Sequence, residues 1–161
     1  MKVLIGLGNP GFQYQKNRHN VGHAFIDFVN EQVKSQKSKV KSEDVKCLKT
    51  DCFMNVSGLF IKKLNSNFKL ETSNLYIVHD DLDIPFGKFK IQFGTGPKLH
   101  NGIRSIEDEL GTNEFWRIRI GVDNRGENKV DGETYSLEDF TEEEHKQLQS
   151  VFENVYKQLT Q

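Results

Sequence analysis

A chain of 161 residues and 18.6 kDa fits one compact domain, residues 1–161, that buries roughly 70% of its unfolded surface. Hydrophobic residues make up 35% and charged residues 28%, enough core material to exclude disorder as the dominant state, and no apolar run approaches the ~20 residues of a bilayer span. Net charge is −1, but residues 1–70 carry 12 Lys+Arg against 5 Asp+Glu and residues 71–161 carry 10 against 18, so one half is basic and able to face a polyanion while the other is acidic.

In chain order, 2–7 reads as a buried first strand ended by the turn Gly8-Asn9-Pro10-Gly11. Phe25, Phe28, Val29 and Val33 recur at helical spacing and place a helix over 21–33. A Lys/Ser-rich connection near 34–44, expected to be mobile, leads to a short strand at 45–49 and a second helix at 56–68 with lysines on its outer side. The clearest buried strand is 75–79. A half-exposed strand at 86–93 is broken by Gly94-Thr95-Gly96-Pro97-Lys98, and Ile103, Ile106 and Leu110 mark a third helix. Trp116, Ile118, Ile120 and Val122 alternate as a strand whose other face carries Arg117 and Arg119. Thr141 with Glu144 forms a capping box that opens a C-terminal helix, 141–159, with the apolar stripe Leu148, Val151, Phe152, Val155 and Leu159. Strands interleaved with helices imply an α/β fold, a mixed twisted sheet covered by helices on both faces, with ligands expected where strands end.

Four chemistries compete for the polar residues at those ends. Gly6-Leu7-Gly8-Asn9-Pro10-Gly11 spells G-x-G-x-x-G, but the third glycine follows a proline and opens no amphipathic helix, so the dinucleotide reading is rejected in favour of a tight turn displaying Asn9. A metal site could draw on His19, His23, His79, His100 and three aspartates, but their spacing matches no established ligand motif. Ser57 lacks the G-x-S-x-G elbow of a serine hydrolase, and the single pair Cys47 and Cys52 makes neither a disulfide framework nor a zinc knuckle. The remaining option is a histidine–carboxylate pair. His19, in a segment without apolar periodicity, and Asp80, just past a buried strand, would together make a general base for water. Asn9, Asn20, Asn55 and Asn101 all lie at breaks between elements, where converging amides could hold an ester or a peptide backbone.

These residues resemble the bacterial-type peptidyl-tRNA hydrolase family in four ordered blocks. The first is Gly6 to Gly11 with Tyr14 and Arg18-His19-Asn20-Val21-Gly22, and the second Phe53-Met54-Asn55-Val56-Ser57-Gly58. The third is Val78-His79-Asp80-Asp81-Leu82-Asp83-Ile84-Pro85. The fourth runs from His100-Asn101-Gly102 to Phe115, Arg117 and Arg119-Ile120-Gly121. The resemblance implies hydrolysis of the ester between a peptide and the 3′ ribose of tRNA. His19 is the implied catalytic base and Asp80 its supporting acid; Asn9, Asn55 and Asn101 hold substrate, and Tyr14, Met54 and His100 line the cleft. It implies no metal and no cofactor. From the charge map, Lys62, Lys63, Lys90 and Arg119 are the candidates for tRNA phosphate contacts, with the lysines of 34–49 as the alternative. The chain departs from the family pattern in the loop 94–99 and at Gln92, where the family commonly has a lysine. A catalytically weak or inactive RNA- or ribosome-binding protein on the same scaffold is therefore the alternative. A cytoplasmic monomer with no membrane partner is expected.

Overall fold

The computed structural model describes residues 1–35, 43–127 and 130–161. Most of the Lys-rich connection expected near 34–44 therefore lies outside the described residues. Five strands, β1 (Lys2–Gly6), β2 (Val45–Lys49), β3 (Leu75–Pro85), β4 (Phe89–Phe93) and β5 (Trp116–Asp123), form one sheet in the order β2-β1-β3-β5-β4. β2, β1, β3 and β5 run parallel, and β4 pairs antiparallel with β5. The central strands β1 and β3 are buried on both faces, which is why 3–5 and 75–78 read as continuous apolar runs, whereas the outer parallel strand β2 is only partly buried and β5 alternates Ile with Arg117 and Arg119.

Helices α1 (Val21–Lys34) and α5 (Glu142–Leu159) cover one face, packing Phe25, Phe28, Phe152 and Val155 against Leu4, Val78, Ile118 and Ile120. Helices α2 (Ser57–Phe68) and α3 (Asn101–Leu110) cover the other, with Ile61, Ile103 and Ile106 against Val3, Ile5 and Ile77. The mixed sheet with helices on both faces is thus as the sequence implied. Both halves of the Thr141–Glu144 capping box are formed, satisfying two backbone donors at the start of α5.

Three elements differ from the sequence reading. β3 does not stop at His79 but continues through Asp80, Asp81 and Asp83 to Pro85, with an irregularity in its pairing to β5 between Asp81 and Pro85. Asp is disfavoured in strands; here Arg119 meets one of the charges, donating from Nε to Asp81 Oδ2 at 2.7 Å. β4 begins at Phe89 instead of residue 86, because Gly87 takes φ 90° and Lys88 N–H donates to Pro85 O, closing a tight turn. A short helix, α4 (Gly132–Ser136), has no counterpart in the sequence reading.

One close approach sets the position of everything that follows. Gly6, at the end of β1, and Gly22, in the first turn of α1, touch backbone to backbone: a Cβ on Gly6 would lie 2.3 Å from Gly22 O, and one on Gly22 would lie 2.3 Å from Val78 O. Only glycine lets α1 start directly on the ends of β1 and β3, so the turn before α1 hangs over the carboxyl edge of the sheet.

Candidate active site

That turn is the 3-10 segment Arg18–Asn20, and it is tied down from both sides. Arg18 is buried, with its guanidinium 3.9 Å from the centre of the Tyr135 ring; its Nη2 donates to Glu144 Oε1 at 2.9 Å. Asn17 Nδ2 donates to Asp139 Oδ1 at 2.7 Å on the same side. On the other side Asn20 makes a reciprocal pair with the Asn9 backbone: its Oδ1 accepts from Asn9 N–H and its Nδ2 donates to Asn9 O, both at 2.9 Å. Asn20 is buried by this pairing and does not reach the cleft; of the four asparagines at element breaks, it is a structural brace.

Held between the two anchors, His19 faces β3. Its Nδ1 lies 2.9 Å from both Asp80 carboxylate oxygens. A carboxylate accepts, so Nδ1 carries the proton and Nε2 keeps the ring's lone pair. Asp80 is 2% exposed, and it receives a second imidazole. His100, the residue that caps α3, accepts at Nδ1 from Gly102 N–H at 3.1 Å and Ile103 N–H at 3.2 Å, so its proton is on Nε2, which donates to Asp80 Oδ1 at 2.9 Å. His79 lies beneath, its ring centre 4.9 Å from that of His100, and its Nδ1 donates to Asp80 O at 2.7 Å.

The charges follow from this geometry. Burial would push the Asp80 carboxyl up, but His19 and His100 hold it well below the usual carboxylate range. Burial would likewise lower His19, and the charge and hydrogen bond of Asp80 outweigh it and raise its pKa above 6.5. His79 is pushed down to about 3, chiefly by burial, and stays neutral.

Beside this centre opens a cleft of about 610 Å³. Asn9, Met54, Asn55, His100 and Asn101 line it together with His19 and Asp80, so sites predicted from four separate stretches of sequence meet there. Met54 N–H donates to Asn9 Oδ1 at 2.7 Å, which leaves the Asn9 Nδ2 donor for a ligand. Asn55 and Asn101 are exposed, and among the described residues their side chains have no hydrogen-bond partner.

Other predicted residues fall elsewhere. Tyr14 does not line the cleft; its ring packs edge-on against Phe53, 6.3 Å between centres, and Phe53 does line it. Arg119 is corrected as a phosphate contact: it is 7% exposed and donates to Asp81 and to Gln92 Oε1, its charge neutralised within the sheet. Lys62 is paired with Glu109 at 3.0 Å, Lys63 borders a separate groove on α2 with Cys52 and Leu59, and Lys90 is exposed on edge strand β4. None of the three lines the cleft. His23 is not part of the centre, since its Nε2 is within 3.1 Å of Thr50 Oγ1.

Sequence reasoning missed the opposite wall, made by Leu82, Leu99 and the α4 residues Glu133 and Ser136, with Asp131 before the helix and Leu137 just after it. Phe53 stood in a matched block, and its exposed aromatic ring was the available signal.

Among the described residues, His19, Asp80 and His100 form the one cluster able to hold a metal ion, with ligand atoms within 4.8 Å of one another. In the geometry seen, protons alone satisfy all three groups, each imidazole donating to the shared carboxylate.

An imidazole–carboxylate pair beside convergent amides, at the carboxyl edge of a parallel sheet, suits general-base chemistry on a carbonyl substrate. The chain belongs to the peptidyl-tRNA hydrolase family: the family model described as Peptidyl-tRNA hydrolase matches residues 3–161. It is 41% identical over 160 residues to the peptidyl-tRNA hydrolase of Pseudothermotoga lettingae, covering 95% of this chain and 85% of that one. Over 170 residues it is 35% identical to that of Desulfitobacterium hafniense, covering 99% and 91%. The solved structure of peptidyl-tRNA hydrolase from Acinetobacter baumannii superposes with a TM-score of 0.80 at 25% identity, over 95% of this chain and 83% of that one.

Proposed function

We propose that this enzyme cleaves the ester joining a peptide to the 3′ ribose of tRNA through His19 acting as general base. The observation that carries the proposal is the placement of His19 with Nδ1–H fixed on Asp80, which leaves Nε2 as the base in a cleft lined by Asn9, Asn55 and Asn101. Nε2 takes a proton from water, and the oxygen attacks the ester carbonyl. The imidazolium so formed is stabilised by the Asp80 carboxylate, whose low pKa keeps it charged throughout. Amide donors such as Asn9 Nδ2 offset the negative charge on the tetrahedral intermediate. Collapse of the intermediate expels the ribose oxygen, which takes the proton back from His19; the products are a peptide with a free carboxyl group and a tRNA with a free 3′ hydroxyl.

Amides that read main-chain groups accept any peptide side chain, which fits a substrate of variable sequence. Lys62, Lys63 and Lys90 are the proposed tRNA phosphate contacts, acting outside the cleft. No step calls for a metal or a second copy of the chain, so the enzyme is proposed to work metal-free, as a monomer in the cytoplasm, on peptidyl-tRNA presented free or at the ribosome.

The inactive RNA-binding alternative rests on the loop 94–99 and Gln92 alone, whereas the convergence of His19, Asp80 and three asparagines in one cleft supports catalysis. The test is turnover of an N-acetyl-aminoacyl-tRNA by wild type and His19→Ala, with EDTA in parallel. Wild type is expected to be unaffected by EDTA, and the variant to be slower by ~10²–10⁴-fold while still binding tRNA. Equal turnover by both proteins overturns the assignment, and loss of activity in EDTA restored by zinc overturns the metal-free mechanism.

A further inference from the structure

His19 by itself does not fix the carboxylate it depends on. Its Nδ1 is 2.9 Å from each of the two Asp80 oxygens, so a rotation of the carboxylate about its own axis exchanges one acceptor for the other at no cost to this bond. The second constraint comes from His100, which holds Oδ1 alone at 2.9 Å.

His100 is unusually well defined for that task. Two backbone N–H groups point at its Nδ1, from Gly102 and Ile103, and a protonated Nδ1 would leave both facing another N–H. The start of α3 therefore locks His100 as the neutral Nε2–H tautomer, a donor aimed at Asp80. Its side chain is 4% exposed, and its ring is wedged between His19, 5.1 Å between centres, and His79, at 4.9 Å. The other charged groups around the centre are Arg119 on β5, which bears on His79, and Asp131 and Glu133 across the cleft.

We propose that His100 is a positioning residue, a tautomer-locked hydrogen-bond donor that fixes the Asp80 carboxylate and thereby sets the proton affinity of His19. This rests on the general-base reading above and reassigns His100 from the cleft lining to the support of the base. Donation from His100 spreads the Asp80 charge over two imidazoles. With it gone, the whole carboxylate bears on His19 and raises its proton affinity, while the looser carboxylate orients the ring less well.

Two substitutions separate this role from capping. In His100→Asn the amide oxygen stands where Nδ1 stood, so the helix cap is kept and the donor to Asp80 is lost. In His100→Gln the amide nitrogen reaches the Nε2 position, so the donor is kept and the cap is weakened. The experiment measures the pH profile of kcat/KM on N-acetyl-aminoacyl-tRNA, and the His19 ring titration by NMR without substrate. His100→Asn is expected to move both the acid limb and the His19 titration up by about one pH unit. It should also lower kcat about tenfold with little change in KM. His100→Gln should return limb and titration to the wild-type position.

An unmoved His19 titration in His100→Asn, with KM raised instead, makes His100 a cleft-lining residue and overturns the proposal. So does a shift in His100→Gln as large as in His100→Asn. Since the NMR titration needs no turnover, absence of peptidyl-tRNA hydrolysis by the wild type would sink the functional reading and leave this inference to be judged separately.

Discussion

Replacing Asp80 by asparagine changes almost no volume, yet the structure assigns it a large and specific effect. The amide introduced by Asp80→Asn offers one acceptor and one donor to two imidazoles that both donate. His100 cannot change tautomer, because Gly102 N–H and Ile103 N–H occupy its Nδ1, so its Nε2–H takes the amide oxygen. The amide nitrogen then faces His19 Nδ1, in the place of the carboxylate oxygen that lies 2.9 Å away in the parent protein, and forces that nitrogen to accept. The His19 proton moves to Nε2, the atom that must take a proton from water. An inverted tautomer of this kind costs ~10⁴-fold in the serine-protease triad, and a loss of ~10³–10⁴-fold, about 4–5.5 kcal/mol of barrier, is expected here.

The pH dependence gives an independent sign. In the wild type Asp80 raises the His19 pKa above 6.5 against burial; without the charge, burial acts alone and the pKa falls below 6.5, so the acid limb of kcat/KM moves down. The assay is single-turnover release of N-acetyl-aminoacyl groups from tRNA across the acid limb and well past neutrality. Activity within tenfold of wild type, with the acid limb unmoved, would refute the reasoning.

Other expectations rest on separate parts of the molecule. Glu144→Ala leaves the Arg18 charge buried without its closest acid, the two side chains being 6% and 5% exposed; a loss of about 3–5 kcal/mol should appear as a lower midpoint in urea, and an unchanged midpoint contradicts it. Gly22→Ala places a methyl group 2.3 Å from Val78 O and 2.7 Å from Leu7 N, so circular dichroism should show little folded protein. Removing Lys62, Lys63 and Lys90 together should flatten the salt dependence of tRNA binding by about two to three units of slope, and adding Arg119→Gln should flatten it no further, because that charge is already met by Asp81.

Much of this was legible in the chain itself, for identifiable reasons. The parallel strands and the apolar stripes of α1 and α5 stand out because burial imposes period and composition together. His19, Asp80, Asn9, Asn55 and Asn101 were readable as polar residues at element ends, where an α/β sheet keeps its ligands. What escaped was nonlocal. Arg18 is buried only because Glu144, 126 residues away, meets it, and Arg119 is neutralised by Asp81 across a strand pair that the aspartates themselves disguise. The continuation of β3 through Asp80 and Asp81 runs against strand propensity and depends on those distant partners. α4 has five residues, Gly-Glu-Thr-Tyr-Ser, too few to show a helical period, so its part of the far wall of the cleft left no trace. His100 was legible only as a cleft-lining residue, through the resemblance; its hold on Asp80 depends on two backbone N–H groups that exist only once α3 has formed.

The central claim is the protonation state of one ring, and nitrogen-detected NMR of imidazole-labelled protein reads it directly. The account requires His19 at neutral pH to carry its proton on Nδ1 when uncharged, and to titrate above 6.5 at the same pH as the acid limb of kcat/KM. A His19 ring protonated on Nε2, or one titrating below 6.5, would contradict it.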